Sequence, residues 1–262
     1  MHDDYTGIGA IAWDGYATDP RPEIHPDREF FRQILKESGN PILDVGCGTG
    51  RLLIPYLSEG MEIEGADPMA DQLAICQRKL DEAGLKTKLH QQAMQTLDTG
   101  RKYQTIMVPC GTIQIVLPRE AQWEGLKRLY DHLLPSGLLI LTLYSAFDDL
   151  KTENFGEWIT RSRRIQPDGT ILEKAGRILG VDKTHQTMEQ QVRYRLLRGE
   201  LEDENAEIID EHLCHADEQI FFIHELSLML EKSDFKIEKI TGNYTMEPYN
   251  DSHYVFAFFA RK

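Results

Sequence analysis

Residues 42–50 read Ile-Leu-Asp-Val-Gly-Cys-Gly-Thr-Gly, and this stretch decides the fold. Its mostly apolar beginning predicts a short buried strand, and the glycines that follow allow a tight turn that a ligand can approach closely. Apolar residues at helical spacing come next, so the turn leads into a helix whose first N–H groups are unpaired. The stretch therefore predicts a strand–turn–helix unit with a ligand-binding turn.

Short apolar segments alternate with amphipathic helices up to residue 144, and the alternation resumes after residue 221. The predicted strands are 42–45, 61–66, 87–91, 105–108, 138–143, 235–240 and 254–260. Nearly continuous apolar strands between helices are typical of a parallel sheet that is covered on both faces. The predicted fold class is therefore α/β, with a Rossmann-like, mostly parallel sheet and helices on both sides.

The segment from about residue 156 to residue 214 has a different composition, because it is polar and its apolar and polar residues alternate only weakly. Turn signals at 167–169 and around Gly199 predict roughly three or four antiparallel strands there. We therefore expect a discontinuous main domain at 1–145 and 221–262. An antiparallel β insertion at 146–220 would act as a lid, as a homodimer interface or as both.

Composition restricts the partners of the protein. The chain has 262 residues, a net charge of −14 and a pI near 5.1, which argues against general affinity for nucleic acid. No signal peptide is visible near the N-terminus, and no apolar run reaches the roughly 18 residues of a membrane span. The four cysteines are far apart in sequence, as expected of free thiols in a reducing compartment. We expect a cytosolic protein with no membrane partner.

The glycine turn has a candidate companion in Asp67, at the end of the second predicted strand. A carboxylate at this position can accept hydrogen bonds from both ribose hydroxyls of a nucleotide. The glycine pattern is acid-x-G-x-G-x-G, with Arg51 where a dinucleotide loop would carry its third glycine, and it lacks the lysine of a P-loop. Together the two features predict a nucleoside ligand, whereas a tight turn with Asp67 as a helix cap is the alternative.

Three segments carry a family resemblance. Residues 43–50 resemble the first motif of class I S-adenosylmethionine-dependent methyltransferases, residues 65–69 resemble the second, and residues 133–138 resemble the turn before the fifth strand. The likeness covers roughly 25–144 and 221–262. It implies a seven-stranded sheet whose last strand is antiparallel, S-adenosylmethionine as the cofactor, and methyl transfer as the reaction.

The resemblance also implies which residues bind the cofactor. The first motif would lie against the methionine portion, Asp67 would hold the ribose, and Pro68 would pack on the adenine. The complete set of predicted cofactor contacts is Asp44, Gly46, Cys47, Gly48, Gly50, Asp67, Pro68, Ala93, Met94 and Pro109.

The acceptor side is less determined by sequence. Its candidate residues are Trp13, Tyr16, Cys110, Thr112 and Tyr144. Proximity alone can supply about 7–11 kcal/mol of a displacement barrier, so a dedicated base is optional and no catalytic residue is assigned. No metal site is predicted, because His212 and His215 would face opposite sides of a strand.

We therefore predict transfer of a methyl group to nitrogen, oxygen or sulfur of a small molecule, which fits the acidic composition and the large insertion. Methylation of RNA or protein, cofactor binding without turnover, and a dinucleotide-dependent oxidoreductase are the alternatives.

Overall fold

The computed structural model describes residues 5–19, 23–145, 155–203 and 205–262. Its contacts divide the chain into two compact units, one formed by residues 19–146 and 220–262 and the other by residues 1–18 and 147–219. No helix among the described residues combines the length and the apolar character that a membrane crossing requires.

The described residues form twelve strands. They are β1 (Ile42–Val45), β2 (Ile63–Ala66), β3 (Leu89–His90), β4 (Tyr103–Val108), β5 (Leu133–Tyr144), β6 (Ile159–Ile165), β7 (Ile171–Asp182), β8 (Thr187–Arg198), β9 (Glu207–His215), β10 (Glu218–Gln219), β11 (Lys236–Gly242) and β12 (Val255–Arg261). The helices are α1 (Ile8–Ala17), α2 (Asp27–Ser38), α3 (Leu53–Ser58), α4 (Ala70–Glu82), α5 (Arg119–His132) and α6 (Ile223–Lys232).

The larger unit contains a seven-stranded sheet in the order β11-β12-β5-β4-β1-β2-β3. The pairs from β5 to β3 are parallel, whereas β12 runs antiparallel to both β5 and β11. The predicted Rossmann-like fold class is confirmed, including the antiparallel last strand. The carboxyl ends of the parallel strands, where ligands bind in open α/β sheets, therefore meet at one edge.

Two apolar clusters form the core of this unit. One contains Leu126 of α5 and Leu230 of α6, and the other contains Phe31 of α2 and Leu53 of α3, with all four side chains buried. Each cluster also includes residues of the central strands. Burial of such side chains contributes about 1.5–3 kcal/mol each, so the sheet gains its stability from helices on both faces.

Local differences from the sequence prediction have physical reasons. The helices α1 and α2 were not predicted, and β5 begins at Leu133 rather than at residue 138. Leu133 already pairs with Tyr103, and a register shift between Tyr103 and Thr105 allows the strand to continue. The proline–serine–glycine segment that resembled a turn is thus an irregularity within the strand, at which Ser136 has a positive φ of 63°.

The smaller unit contains an antiparallel sheet with the order β10-β8-β7-β6 and with β9 paired to β8. The predicted antiparallel character of the insertion is confirmed. Ile8 and Ala12 of α1 pack against buried Val192, Tyr194 and Cys214 of this sheet. The predicted domain limits stay a prediction. Residue 146, the expected start of the insertion, lies outside the described residues, and α1 groups with the antiparallel sheet although it was assigned to the main domain.

Candidate functional site

The glycine turn after β1 is held against the end of β2. The N–H groups of Gly46 and Cys47 both donate to the Ala66 carbonyl oxygen, at 2.8 and 3.2 Å. Gly46 has a φ of 80°, and a Cβ atom there would lie 2.5 Å from Oγ1 of Thr112. Because both the backbone conformation and the space exclude a side chain, only glycine fits this position.

Asp67 is bound directly to the glycine turn. Its Oδ2 accepts the Gly48 N–H at 3.0 Å, and its Oδ1 accepts the Met69 N–H at 2.9 Å. Burial raises the pKa of this carboxyl, while the two N–H donors oppose the shift. The predicted pairing of turn and acid is therefore present, and each oxygen has a further lone pair with which it can accept a ligand hydroxyl.

Asp44, the acid at the start of the motif, is buried beneath the turn. Its Oδ1 has no hydrogen-bond partner among the described residues. Burial raises the pKa of Asp44 to about 8, with Arg51 opposing the shift and Asp67 adding to it. A buried carboxyl without a partner is costly to ionise, so this position favours a ligand that brings a positive charge or a donor.

The segment after β4 lies beside the same turn. Cys110 adopts a left-handed φ of 55°, and its N–H donates to Oγ1 of Thr142 at 3.0 Å. Thr112 donates from its hydroxyl to the Pro109 carbonyl oxygen at 2.7 Å. The structure thus brings the predicted residues Pro109, Cys110 and Thr112 together at the carboxyl edge, against Gly46.

Sequence reasoning missed the ion pair that fixes this segment. Arg51 donates to both oxygens of Asp27 on α2, at 2.8 and 2.5 Å, and also to Sγ of Cys110 at 2.9 Å. Both charged residues are buried. The sequence feature that could have indicated this pair is Arg51 itself, because an arginine side chain directly after the last glycine of the loop needs an acidic partner if it is buried. Its partner could not be found because α2 was not predicted.

The chemistry of Cys110 follows from this setting. Burial raises the pKa of its thiol to about 11, although the Arg51 guanidinium opposes the shift. A thiol that is almost wholly protonated at neutral pH is a weak nucleophile. The structure therefore gives no support for covalent catalysis by Cys110.

Tyr144 ends β5 at the same edge, and 37% of its surface is exposed. The hydroxyl of Tyr244, which follows β11, donates to the Tyr144 hydroxyl at 3.4 Å. Tyr244 was not among the predicted residues, because nothing in the sequence indicates that the segment after β11 returns to this edge.

The predicted adenine contacts lie after β2 and β3. Pro68 is exposed, and Ala93 precedes a short 3-10 turn at Met94–Thr96. The Met94 side chain is buried against α5, where a Cβ on Gly125 would lie 2.5 Å from its terminal methyl carbon. A ligand contact of Met94 would therefore use its backbone, and the roles of all three residues stay predictions.

Trp13 and Tyr16 lie on α1 in the smaller unit. Their ring centroids are 5.5 Å apart, and Trp13 also meets Tyr5 edge to face at 5.9 Å. They form an aromatic cluster, and their predicted place facing the acceptor stays a prediction. Within the described ranges, no group of three or more His, Cys, Asp or Glu side chains is arranged to hold a metal ion.

Comparisons with known proteins agree with this geometry. The family model described as a methyltransferase domain matches residues 42–137. A solved S-adenosylmethionine-dependent methyltransferase from Clostridium acetobutylicum ATCC 824 superposes with a TM-score of 0.76 at 15% identity, over 95% of this chain and 98% of that one. At this identity the structural likeness shows the fold.

Similar curated proteins carry methyltransferase names that differ in the reaction they specify. A protein of Geobacillus sp. (strain WCH70), whose name assigns it only to the methyltransferases, is 29% identical over 46% of this chain, and the match spans 50% of its own length. The ubiquinone biosynthesis O-methyltransferase of Azorhizobium caulinodans is 27% identical over 53% of this chain and 59% of its own. The dTDP-3-amino-3,6-dideoxy-alpha-D-glucopyranose N,N-dimethyltransferase of Streptomyces fradiae is 29% identical over 65% of both chains.

Proposed function

Since the chain belongs to the class I S-adenosylmethionine-dependent methyltransferase family, we propose that it methylates a nitrogen, oxygen or sulfur atom of a small molecule. The observation that carries the proposal is the glycine turn bound to buried Asp67 across the ends of β1 and β2. This edge combines glycines, which allow a ligand to approach the backbone closely, with a carboxylate suited to ribose.

The residues present fit the cofactor of this family. S-adenosylmethionine carries an ammonium group and a sulfonium, and it supplies a methyl group bound to a good leaving group. Asp44, with one buried oxygen lacking a described partner, suits a cationic ligand. Gly46, Cys47 and Gly48 would face the methionine portion, and Asp67 would accept the ribose hydroxyls.

The other predicted contacts complete the proposed cofactor site. Pro68 would pack on the adenine, and the segment at Ala93 and Met94 would meet its edge through the backbone. Pro109 would close the crevice beneath the transferred methyl group. Because these residues come from the ends of neighbouring strands, the sheet itself would orient the cofactor before the acceptor binds.

A small-molecule acceptor is supported by charge and by the relatives. A net charge of −14 disfavours a nucleic-acid substrate, since such binding requires several cations that neutralise phosphates. The names of the Azorhizobium and Streptomyces relatives specify ubiquinone biosynthesis and a dTDP-linked amino sugar, and both are small-molecule chemistries. Salt-sensitive binding of RNA near the micromolar range would contradict this choice of acceptor.

The cofactor assignment is tested by calorimetry with S-adenosylhomocysteine and, separately, with NAD(H). Asp67→Ala should weaken binding of S-adenosylhomocysteine by about 1–3 kcal/mol, or roughly 5- to 150-fold, because ribose hydroxyls lose a buried partner. Glu82→Ala, at an exposed position of α4, serves as the control and should leave the dissociation constant unchanged.

An unchanged constant in Asp67→Ala would show that Asp67 is not the ribose ligand. Tight NAD(H) binding without binding of S-adenosylhomocysteine would favour an oxidoreductase instead. Turnover of labelled cofactor with a metabolite mixture distinguishes an enzyme from a protein that only binds the cofactor.

We also propose a cytosolic location and a role of the antiparallel sheet as a lid or a homodimer interface. All four cysteines are free thiols, as a reducing compartment would keep them. On β9, Ile208 and Leu213 are 50% and 52% exposed, and exposed apolar residues on an edge strand favour association. Sedimentation of the wild type and of Leu213→Lys tests this role, since a dimer built on β9 should dissociate.

A further inference from the structure

The second half of the glycine turn is held by helix α4. Nζ of Lys79 donates a hydrogen bond to the Thr49 carbonyl oxygen at 3.0 Å. Three residues earlier on this helix, the buried side chain of Cys76 packs against Gly50, where a Cβ atom would lie 2.8 Å from the cysteine Sγ. Because residues at positions i and i+3 share one face of a helix, this face of α4 lies directly against the turn.

The turn depends on such contacts because its backbone has great conformational freedom. Gly46, Gly48 and Gly50 all have left-handed φ values, of 80°, 52° and 83°. Glycine adopts this conformation without steric cost, but it also loses more conformational entropy on ordering than any other residue. A turn in which every second residue is glycine therefore keeps one shape only where neighbouring groups fix its peptide planes.

The two halves of the turn are fixed by different parts of the segment that runs from β2 into α4. The Ala66 carbonyl oxygen and the Asp67 side chain accept the N–H groups of the first half. In the second half, Lys79 binds the Thr49 carbonyl, and the Gly50 N–H donates within the turn at 2.9 Å. This carbonyl and this N–H belong to one planar peptide unit, so the two bonds together fix its orientation.

The bond from Lys79 is of a strong kind. Its donor is an ammonium group, and hydrogen bonds with a charged donor are roughly twice as strong as neutral ones. Thr49 is buried and Lys79 is half-buried, so the bond is shielded from water. The preceding cation on the helix, Arg78, is 59% exposed and pairs with Glu82 of the same helix instead. Only one of these two neighbouring cations therefore acts on the turn.

We propose that Lys79 is a positioning residue for the cofactor, because it fixes the peptide between Thr49 and Gly50 and so keeps the glycine turn in the shape that binds S-adenosylmethionine. This inference rests on the proposed function, which places the methionine portion of the cofactor against the turn. Lys79 acts through the backbone and need not touch the cofactor. Without its bond, the turn occupies the binding shape for only part of the time, and the apparent dissociation constant rises in proportion.

The experiment measures the affinity for S-adenosylhomocysteine by calorimetry in the wild type, Lys79→Met, Lys79→Gln and Lys79→Arg. Methionine retains a long flexible side chain without a donor, glutamine offers a neutral donor, and arginine offers a charged one. Arg78→Met is the matched control, because it removes one positive charge from the neighbouring position of the same helix, in an exposed pair with Glu82. Hydrogen exchange with mass spectrometry follows the amide protection of residues 46–54 in each variant, with and without the ligand.

We expect Lys79→Met to weaken binding about 5- to 20-fold, as for a turn that holds its binding shape about 5–20% of the time. Lys79→Gln should weaken binding about 2- to 5-fold and Lys79→Arg at most about twofold, because a charged donor makes the stronger bond. The amides of the turn should exchange faster in Lys79→Met, and saturating ligand should restore their protection, because the ligand selects the bound shape. Arg78→Met should match the wild type in both measurements.

Unchanged affinity in Lys79→Met would overturn the inference, since the turn would then keep its shape without the bond. Equal losses in Lys79→Met and Arg78→Met would also overturn it, because they would reflect only the charge of the helix. So would equal losses in all three Lys79 variants, which would depend on the shape of the side chain rather than on its donor. If Lys79→Met fails to fold, the comparison of Lys79→Gln with Lys79→Arg decides. Absence of binding in the wild type would contradict the proposed function and this inference with it, whereas the other outcomes leave the proposed function standing.

Discussion

Two buried carboxyl groups, one in each unit, are treated in opposite ways by their surroundings. Asp44 in the mixed sheet is 1% exposed, and one of its oxygens has no described partner. Glu173 in the antiparallel sheet is 5% exposed, and it accepts a hydrogen bond from Nε of Arg163 at 2.8 Å, with Arg195 and Arg193 at 3.9 and 4.0 Å. Asp44 thus has an oxygen without a hydrogen-bond partner among the described residues, whereas Glu173 is surrounded by arginine side chains.

The difference separates a binding site from a structural network. A buried carboxyl group without hydrogen-bond partners costs free energy when it is ionised. It is therefore expected where a ligand supplies the missing partner or where the group remains protonated. A buried carboxyl among guanidinium groups is already satisfied within the protein, and it stabilises the sheet that carries it. Arg163 is engaged in this way, because its Nε donates to Glu173.

The largest expected effect comes from filling the turn above Asp44. Gly46→Ala should destabilise the fold by about 3 kcal/mol, since a left-handed alanine costs about 1–2 kcal/mol and the clash with Thr112 adds about 1–3 kcal/mol. Binding of S-adenosylhomocysteine should become undetectable at micromolar concentrations. Chemical denaturation and calorimetry measure the two effects.

Gly60→Ala is the matched control for this substitution. Gly60 has a similar φ of 86°, but no atom lies within 4 Å of the Cβ position. It should cost only the conformational part, about 1–2 kcal/mol, with the ligand affinity retained. Equal destabilisation in the two variants would show that the contact with Thr112 is easily relieved, and the turn would then be less tightly built than the structure indicates.

A second test uses pH to examine Asp44. Its pKa is about 8 in the folded protein, against 3.8 for the free side chain. Between about pH 4 and pH 8 the folded state therefore holds a proton that the unfolded chain has lost, so this group lowers stability progressively as the pH rises. Asp44→Asn lacks this effect and should gain on the wild type by on the order of 2 kcal/mol between pH 5 and pH 8.5.

The measurement is denaturant unfolding at several pH values, with Glu82→Gln as an exposed control that should show no such trend. Bound S-adenosylhomocysteine should reduce the difference, because its ammonium group would favour the ionised carboxylate. A stability difference between Asp44→Asn and the wild type that is independent of pH would mean that Asp44 is ionised in the folded protein and has a partner there.

Much of the mixed sheet could be predicted because its signals are local. The strand at 42–45 and the glycine turn depend on residues that are neighbours in sequence. The helix α2 was missed although Phe31 and Leu35 are buried on it, because the apolar residues of this helix stand among charged ones. The start of β5 was missed because proline and glycine usually end a strand, whereas here a register shift accommodates them.

The site was predictable only where family motifs identify its residues. The turn and Asp67 were found because family motifs place them in order, and the structure shows the contact between them. Arg51 with Asp27, and Tyr144 with Tyr244, are pairs that the sheet order brings together from distant parts of the chain. Such pairs depend on which strand ends are neighbours, and a single sequence does not contain that information.

The smallest expected effect tests the other half of the comparison. Glu173→Gln keeps the shape of the side chain and removes its charge, which leaves Arg163, Arg193 and Arg195 with less compensation. We expect a loss of about 1–2 kcal/mol in the free energy of unfolding, below the cost of breaking a fully buried pair because the arginines remain partly exposed. Binding of S-adenosylhomocysteine should not change if Glu173 is structural.

Glu207→Gln removes the partner of Arg198 in a pair that is 66% and 69% exposed, and it should cost at most about 0.5 kcal/mol. If both variants were equally stable, the interaction of Glu173 with its arginines would not contribute to the free energy of unfolding. Glu173 could then not be called a structural acid in contrast to Asp44.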